Sequence, residues 1–175
     1  MREHAFASII KEKYGRICVG ERGLMSKLKA KKWTLLYTEI SKLGEGGNAD
    51  VYLVEDSRSG KRYALKELRS SNRSEEKKSR FVSEIQIARD NCTIIPGIIP
   101  VIDYSMEDYW YTMPIAQQIM GCVNGMSLDE IINGVLQLCE TLGRLHEKGI
   151  HHRDIKPSNI YYYDGRFSFG DFGLV

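Results

Sequence analysis

The chain has 175 residues, a formal net charge of +2, 42% hydrophobic residues and 27% charged residues. Such fractions describe a soluble globular protein with room for one domain, or for one lobe and part of another. Acids are mixed among the bases, so charge gives no case for nucleic-acid binding, and no nucleic-acid partner is expected.

Four cysteines, Cys18, Cys92, Cys122 and Cys139, lie far apart without metal-ligand spacing. They read as reduced thiols of a cytoplasmic protein. The charges at Lys11, Glu12 and Lys13 interrupt any apolar core of a signal peptide. The apolar run from Ile94 to Ile102 is broken by Pro96 and Pro100 and falls short of the roughly 20 residues that a membrane helix needs. No membrane segment is expected.

Residues 1 to 36 carry no motif. Ala5 to Lys13 has the pattern of a short helix, and Gly15, Gly20 and Gly23 suggest turns. Arg22, Lys27, Lys29, Lys31 and Lys32 form a basic run ahead of Trp33. A solvated basic face is the simpler reading of that run, with an anionic docking patch as the alternative.

From Tyr37 the pattern turns to alternation. Strands are predicted over Tyr37 to Leu43, Val51 to Val54 and Arg62 to Leu68, with turns at Gly44 to Gly47 and at Asp56 to Gly60. Ser70 to Glu76 reads as a polar loop. A helix follows to about Arg89, with Phe81, Ile85 and Ala88 on one face. Two more strands are expected, Ile99 to Tyr104 and Tyr109 to Met113, completing a small lobe of five strands and one helix.

Ser127 and Glu130 have the spacing of a capping box. From Leu128 to Leu145 apolar residues recur at helical spacing, and Gly149 ends the helix. A strand pair near Ile160 to Tyr163 and Arg166 to Phe169 then surrounds the Asp164-Gly165 turn.

Several segments carry chemistry. Gly44-Glu45-Gly46-Gly47-Asn48-Ala49-Asp50-Val51 lies between two strands, where glycine N–H groups can approach phosphate oxygens unobstructed. Alone it reads more simply as a hairpin turn. Lys66, in Tyr63-Ala64-Leu65-Lys66, reads alone as a solvated surface lysine. A carboxylate on the packed helix could orient its ammonium towards phosphate, and Glu84, beside the apolar face, is the best placed. Further on stand His152-Arg153-Asp154-Ile155-Lys156-Pro157-Ser158-Asn159 and Asp171-Phe172-Gly173.

Taken in order, these five motifs resemble the protein kinase family, serine/threonine type and bacterial-like, over about Tyr37 to Val175. The resemblance implies an α+β, protein kinase-like fold: a five-stranded antiparallel small lobe with one helix (37–116) and the beginning of a mainly helical large lobe (117–175). Residues 1–36 would be an extension of unknown role.

By resemblance, Gly44, Gly46, Gly47 and Val51 cover the nucleotide, Val51 and Ala64 pack on adenine, and Met113 guards the back of its pocket. The backbone at Pro114 and Ala116 hydrogen-bonds the adenine edge. Lys66 holds the α- and β-phosphates and pairs with Glu84. Asp154 takes the proton of the acceptor hydroxyl, Lys156 stabilises charge on the transferring group, and Asn159 and Asp171 hold two Mg²⁺. Arg153 stands ready for a phosphate on the activation segment. The implied cofactors are ATP and Mg²⁺, and the implied partner is a protein carrying a Ser or Thr acceptor. Lys156, two residues after Asp154, favours Ser/Thr over Tyr.

Three departures stand out. Ala49 replaces the third glycine of the loop, Tyr161 stands where a smaller apolar residue usually packs beneath adenine, and little room remains between Ala116 and Ser127 for a separate short helix. The chain also stops at Val175, just after Asp-Phe-Gly. The expectation is therefore a truncated catalytic domain lacking on the order of one hundred residues. The helix from Ser127 would then leave part of its apolar face to a missing segment or a partner. Two other readings are a nucleotide-binding regulatory module that needs a partner and a small-molecule kinase, the second disfavoured by Arg153 and Asp-Phe-Gly.

Overall fold

The computed structural model describes residues 32–173. The chain divides into two compact units, Met1–Thr34 and Leu35–Val175, and the site lies in the second. The expected helix at Ala5 to Lys13, the glycine turns, Cys18 and the basic run as far as Lys31 lie outside the described residues.

Five antiparallel strands form the first sheet: β1 (Tyr37–Glu45), β2 (Ala49–Asp56), β3 (Arg62–Leu68), β4 (Asp103–Ser105) and β5 (Trp110–Met113), in the order β1-β2-β3-β5-β4. Local chemistry sets the first two turns. Gly46 N–H donates to the Ala49 carbonyl at 3.0 Å, and Asp56 Oδ1 accepts from the N–H groups of Arg58 and Ser59 at 2.7 and 2.8 Å. Although β1 and β4 are opposite edges, Tyr37 OH donates to Asp103 Oδ2 at 2.9 Å, so the twisted sheet curls until its edges meet.

Helix α1 (Glu75–Asn91) begins where the hydroxyl of Ser74 accepts from Lys77 N–H, with Glu75 and Glu76 at its positive end. It buries Phe81, Glu84, Ile85 and Ala88 at helical spacing, and Phe81 and Ile85 pack with Ala49, Leu68 and Tyr111.

Helix α2 (Leu128–Glu147) starts with the Ser127/Glu130 capping box, and Gly149 follows its end at φ +73°. Strands β6 (Gln117–Gln118), β7 (Ile160–Tyr163) and β8 (Arg166–Phe169) make a second sheet in that order. Asp164 and Gly165 both take positive φ, 49° and 75°, as a two-residue hairpin turn between β7 and β8 requires. Gly134 leaves room for the Phe167 ring on α2, since a Cβ there would stand 2.4 Å from it. The Thr141 hydroxyl lies 2.9 Å from the Pro96 carbonyl.

One short segment joins the layers. Phe169 N–H donates to the Gly97 carbonyl at 2.7 Å and Ile99 N–H to the Phe169 carbonyl at 3.0 Å, so residues 97–99 run beside the end of β8. Ala88 of α1, Ile95, Ile98, Leu138, Leu145, Phe169 and Phe172 share one core. In this way the residues after β8 come to lie beneath α1.

Three expectations shift. The strand predicted over Ile99 to Tyr104 contracts to Asp103–Ser105, because Ile99 is occupied beside Phe169. Helix α1 starts at Glu75, inside the expected loop, because Ser74 caps it. Between Ala116 and Ser127 the chain forms β6 and two 3-10 turns, Ile119–Gly121 and Val123–Gly125. On α2, Leu128 is 71% exposed, and Ile132, Val135 and Leu136 are also exposed, so part of the apolar face is uncovered among the described residues while Leu138 and Leu145 are buried. No helix among the described residues is long and apolar enough to cross a membrane.

Candidate active site

Lys66 lies mid-strand on β3, opposite Val51 on β2 and Tyr111 on β5. Its ammonium stands 2.6 Å from Glu84 Oε1 and 3.2 Å from Asp171 Oδ1. Glu84 is only 3% exposed. Burial works to lower the Lys66 pKa, but the Glu84 and Asp171 carboxylates overcome it and hold the ammonium charged, above the ordinary lysine range. Burial pushes the Glu84 carboxyl upwards while Lys66 pulls it down.

The Asp154 loop is tied to the segment that ends in Gly173. His152 is buried, with its ring centroid 5.1 Å from that of Phe169 and 4.8 Å from that of Phe172. Its Nε2 lies 3.1 Å from the Gly170 carbonyl, which can only accept, so this nitrogen carries the proton. Gly170 N–H donates to the Asn159 carbonyl at 3.0 Å. Arg153 and Asp171 take left-handed backbone conformations, φ 56° and 62°, at a cost of about 1–2 kcal/mol each. Strained conformations of this kind persist where surrounding contacts over-determine them, as the bonds on either side do here.

Asp154 Oδ2 accepts from Lys156 Nζ at 2.7 Å and from Asn159 Nδ2 at 2.9 Å. The Lys156 bond holds the Asp154 carboxyl below the usual carboxylate range. Asn159 Nδ2 also donates to the Asp154 carbonyl at 2.9 Å, which leaves its Oδ1 as the atom able to ligate a cation.

These groups surround an open cavity of about 350 Å³. Of the residues singled out by sequence, Gly46, Gly47, Val51, Lys66, Glu84, Met113, Asp154, Lys156, Tyr161 and Asp171 line it. Gly44, Ala64, Pro114, Ala116 and Asn159 do not. Ala64 is the cross-strand neighbour of Met113, and Asn159 sits behind Asp154. A Cβ on Gly47 would meet no atom within 4 Å, so the loop leaves open space on the cavity wall.

The sequence reading did not single out Tyr111, Lys77, Arg80 or Gly170, which also line the cavity. Tyr111 could have been found from its alternation with Met113 on one face of β5. Nor did it foresee the clasp under the glycine-rich loop. There Lys42 Nζ stands 3.0 Å from both Glu45 and Asp50, and Arg69 Nη2 stands 2.7 and 2.9 Å from the same two acids.

The sequence model of the protein kinase domain matches residues 37–175. The chain belongs to the protein kinase family. The chain is 33% identical over 152 residues to the serine/threonine-protein kinase PknD of Chlamydia muridarum (strain MoPn / Nigg), and equally to that of Chlamydia trachomatis serovar L2b (strain UCH-1/proctitis). It is 31% identical over 150 residues to the PknD of Chlamydia caviae. Each match takes in 71% of this chain and 15% of the relative, so the chain spans about 15% of the length of these curated relatives.

ATP and Mg²⁺ are the family's usual requirements, and the residues present fit both. Glycine-rich backbone, a charged lysine and a cavity of sufficient size suit a nucleoside triphosphate. Among the described residues no three His, Cys, Asp or Glu side chains cluster as a metal cage. Mg²⁺ needs none, since it binds through one or two carboxylates together with phosphate and water oxygens. Asp171 would supply the carboxylate, and the Asn159 amide oxygen would be a further ligand.

Proposed function

We propose that this kinase transfers the γ-phosphate of Mg·ATP to a Ser or Thr hydroxyl of a protein. The observation that carries the proposal is the convergence on one cavity of the Lys66–Glu84 pair, the Asp154–Lys156 pair and Asp171.

Bound Mg²⁺ would neutralise phosphate charge and align the nucleotide, with Asn159 and Asp171 as its protein ligands. The other roles belong to the chain's side chains. Lys66, oriented by Glu84, holds phosphate oxygens. The Gly46 and Gly47 backbone covers the phosphate end, while Val51, Met113 and Tyr161 enclose the base. Asp154, held ionised by Lys156, accepts the proton of the acceptor hydroxyl. Lys156 Nζ, half-exposed beside Asp154, is placed to stabilise charge as transfer proceeds. The serine/threonine preference is supported by Lys156 and by the relatives being serine/threonine-protein kinases. We place the chain in the cytoplasm, on the support of the free thiols at Cys92, Cys122 and Cys139.

A second reading, a nucleotide-binding module completed by a partner, is favoured by the uncovered stripe on α2. One experiment separates the two. With radiolabelled Mg·ATP and a protein acceptor, the kinase reading predicts phosphoserine or phosphothreonine. Asp154→Asn would reduce transfer by about 10²–10⁴-fold while Mg·ATP still binds. Binding without transfer in the parent favours the module, and undiminished transfer by Asp154→Asn rejects Asp154 as the base.

A further inference from the structure

We propose that Tyr111 is a positioning residue that latches Glu84 of α1 in register with Lys66, through a hydroxyl bond to the same carboxylate oxygen that receives the lysine. The proposal rests on the nucleotide-site reading above, in which the Lys66–Glu84 pair orients phosphate.

Lys66 and Tyr111 are direct cross-strand partners on β3 and β5, so both side chains leave the same face of the sheet, towards α1. Lys66 Nζ reaches Glu84 Oε1 at 2.6 Å, and Tyr111 OH donates to that same atom at 2.8 Å. The Tyr111 ring also packs on Phe81, centroid to centroid 5.6 Å, one helical turn before Glu84. Tyr111 therefore grips α1 at two successive turns, one apolar and one polar.

The chemistry makes this contact a selective one. A buried phenol must find an acceptor, and an ionised carboxylate is the strongest available. Burial and the Glu84 charge keep the Tyr111 hydroxyl protonated, so it remains a donor. Rotating α1 or sliding it by a turn would take the Glu84 carboxylate from both partners, leaving the buried Tyr111 phenol without its acceptor and Lys66 on Asp171 alone. Two carboxylates share Lys66, and a cation drawing Asp171 away would leave Glu84 as its remaining anchor. The Tyr111 hydroxyl holds that anchor in place.

The groups facing Glu84 are Lys66 from β3, Tyr111 from β5 and Asp171 from the segment after β8. The Tyr111 bond lowers the Glu84 pKa, so its removal lets burial push the carboxyl further up.

The test is Tyr111→Phe in the 175-residue chain, which keeps the ring against Phe81 and removes only the donor. Amide hydrogen exchange, read without nucleotide, should speed up across Phe81 to Ile85 by about 3–10-fold, as expected for one net hydrogen bond. Mg·ATP affinity, read by calorimetry, should fall by a similar factor. Its decline on the acid side should begin at higher pH than in the parent, an effect that ring packing alone does not give. Exchange, affinity and acid limb all within two-fold or unmoved would overturn the proposal. If the parent binds no Mg·ATP while exchange still responds to Tyr111→Phe, the nucleotide reading fails and the latch stands.

Discussion

Lys156 Nζ donates to Asp154 Oδ2 at 2.7 Å, so the carboxylate proposed as base is held in its ionised form by its own loop. Lys156→Ala removes the bond that depresses the Asp154 pKa. The carboxyl should then titrate at higher pH, a shift visible in a carbonyl ¹³C titration of Asp154. Transfer should lose rate by on the order of 10²-fold, the scale of one lost transition-state contact. An Asp154 titration identical to the parent's would contradict the assignment.

Tyr161 and Gly170 form a tight pair beneath the cavity, where a Cβ at position 170 would lie 2.9 Å from Tyr161 Cε2. Gly170→Ala should therefore push the ring into the nucleotide space and weaken Mg·ATP binding by about tenfold, close to 1.4 kcal/mol. Because the two residues touch, the effects should not add. Tyr161→Leu in the same chain should restore most of the affinity, and calorimetry on the three variants checks this.

On the far side of the cavity, Asp50 anchors the glycine-rich loop through Lys42 and Arg69. Burial pushes its carboxyl upwards, but those two cations outweigh it and hold the folded pKa below its ordinary value. Such a group contributes stability that is present above its unfolded pKa, about 4, and lost as pH falls through the folded pKa. In urea titrations the gap between the parent and Asp50→Asn should be open at pH 7 and close as the acid side is approached. A gap of constant size would show that the clasp is not ionic.

Helix α2 meets the second sheet through Gly134, against which the Phe167 ring packs with no space for a methyl group. Gly134→Ala gains helix propensity but overpacks this contact, and the overpacking should win by about 1–3 kcal/mol. Thermal unfolding monitored by circular dichroism should show a lowered midpoint. An unchanged or raised midpoint would mean that the hairpin yields without cost.

Local chemistry explains which parts were legible in the sequence. The β7–β8 hairpin could be read from the Asp164-Gly165 turn, and α2 from Ser127, Glu130 and Gly149, because each signal lies within a few residues of the structure it specifies. Ser74 is an equally local cap, passed over inside a polar stretch, so α1 was expected to start late. The Ile99 to Tyr104 strand was overestimated because apolar alternation does not say whether a residue pairs in a sheet or lies beside another strand's end, as Ile99 does beside Phe169. The motifs named Lys66, Asp154 and Asp171 as candidates by order along the chain. The place of Tyr111 on the Met113 face of β5 is legible from alternation, but its contact with Glu84 is not, since that depends on the register of β3 against β5. Helical spacing gives the apolar stripe of α2, while the expectation that part of it stays uncovered comes from the family resemblance, in which further large-lobe segments follow Asp-Phe-Gly.

The most direct measurement is calorimetric titration of the purified chain with Mg·ATP, alongside Lys66→Ala. The account predicts saturable, magnesium-dependent binding at one site. Loss of the ammonium held between Glu84 and Asp171 should weaken it by tenfold or more, about 1.4 kcal/mol or greater. Equal affinity in the two chains, or no binding by the parent, would contradict it.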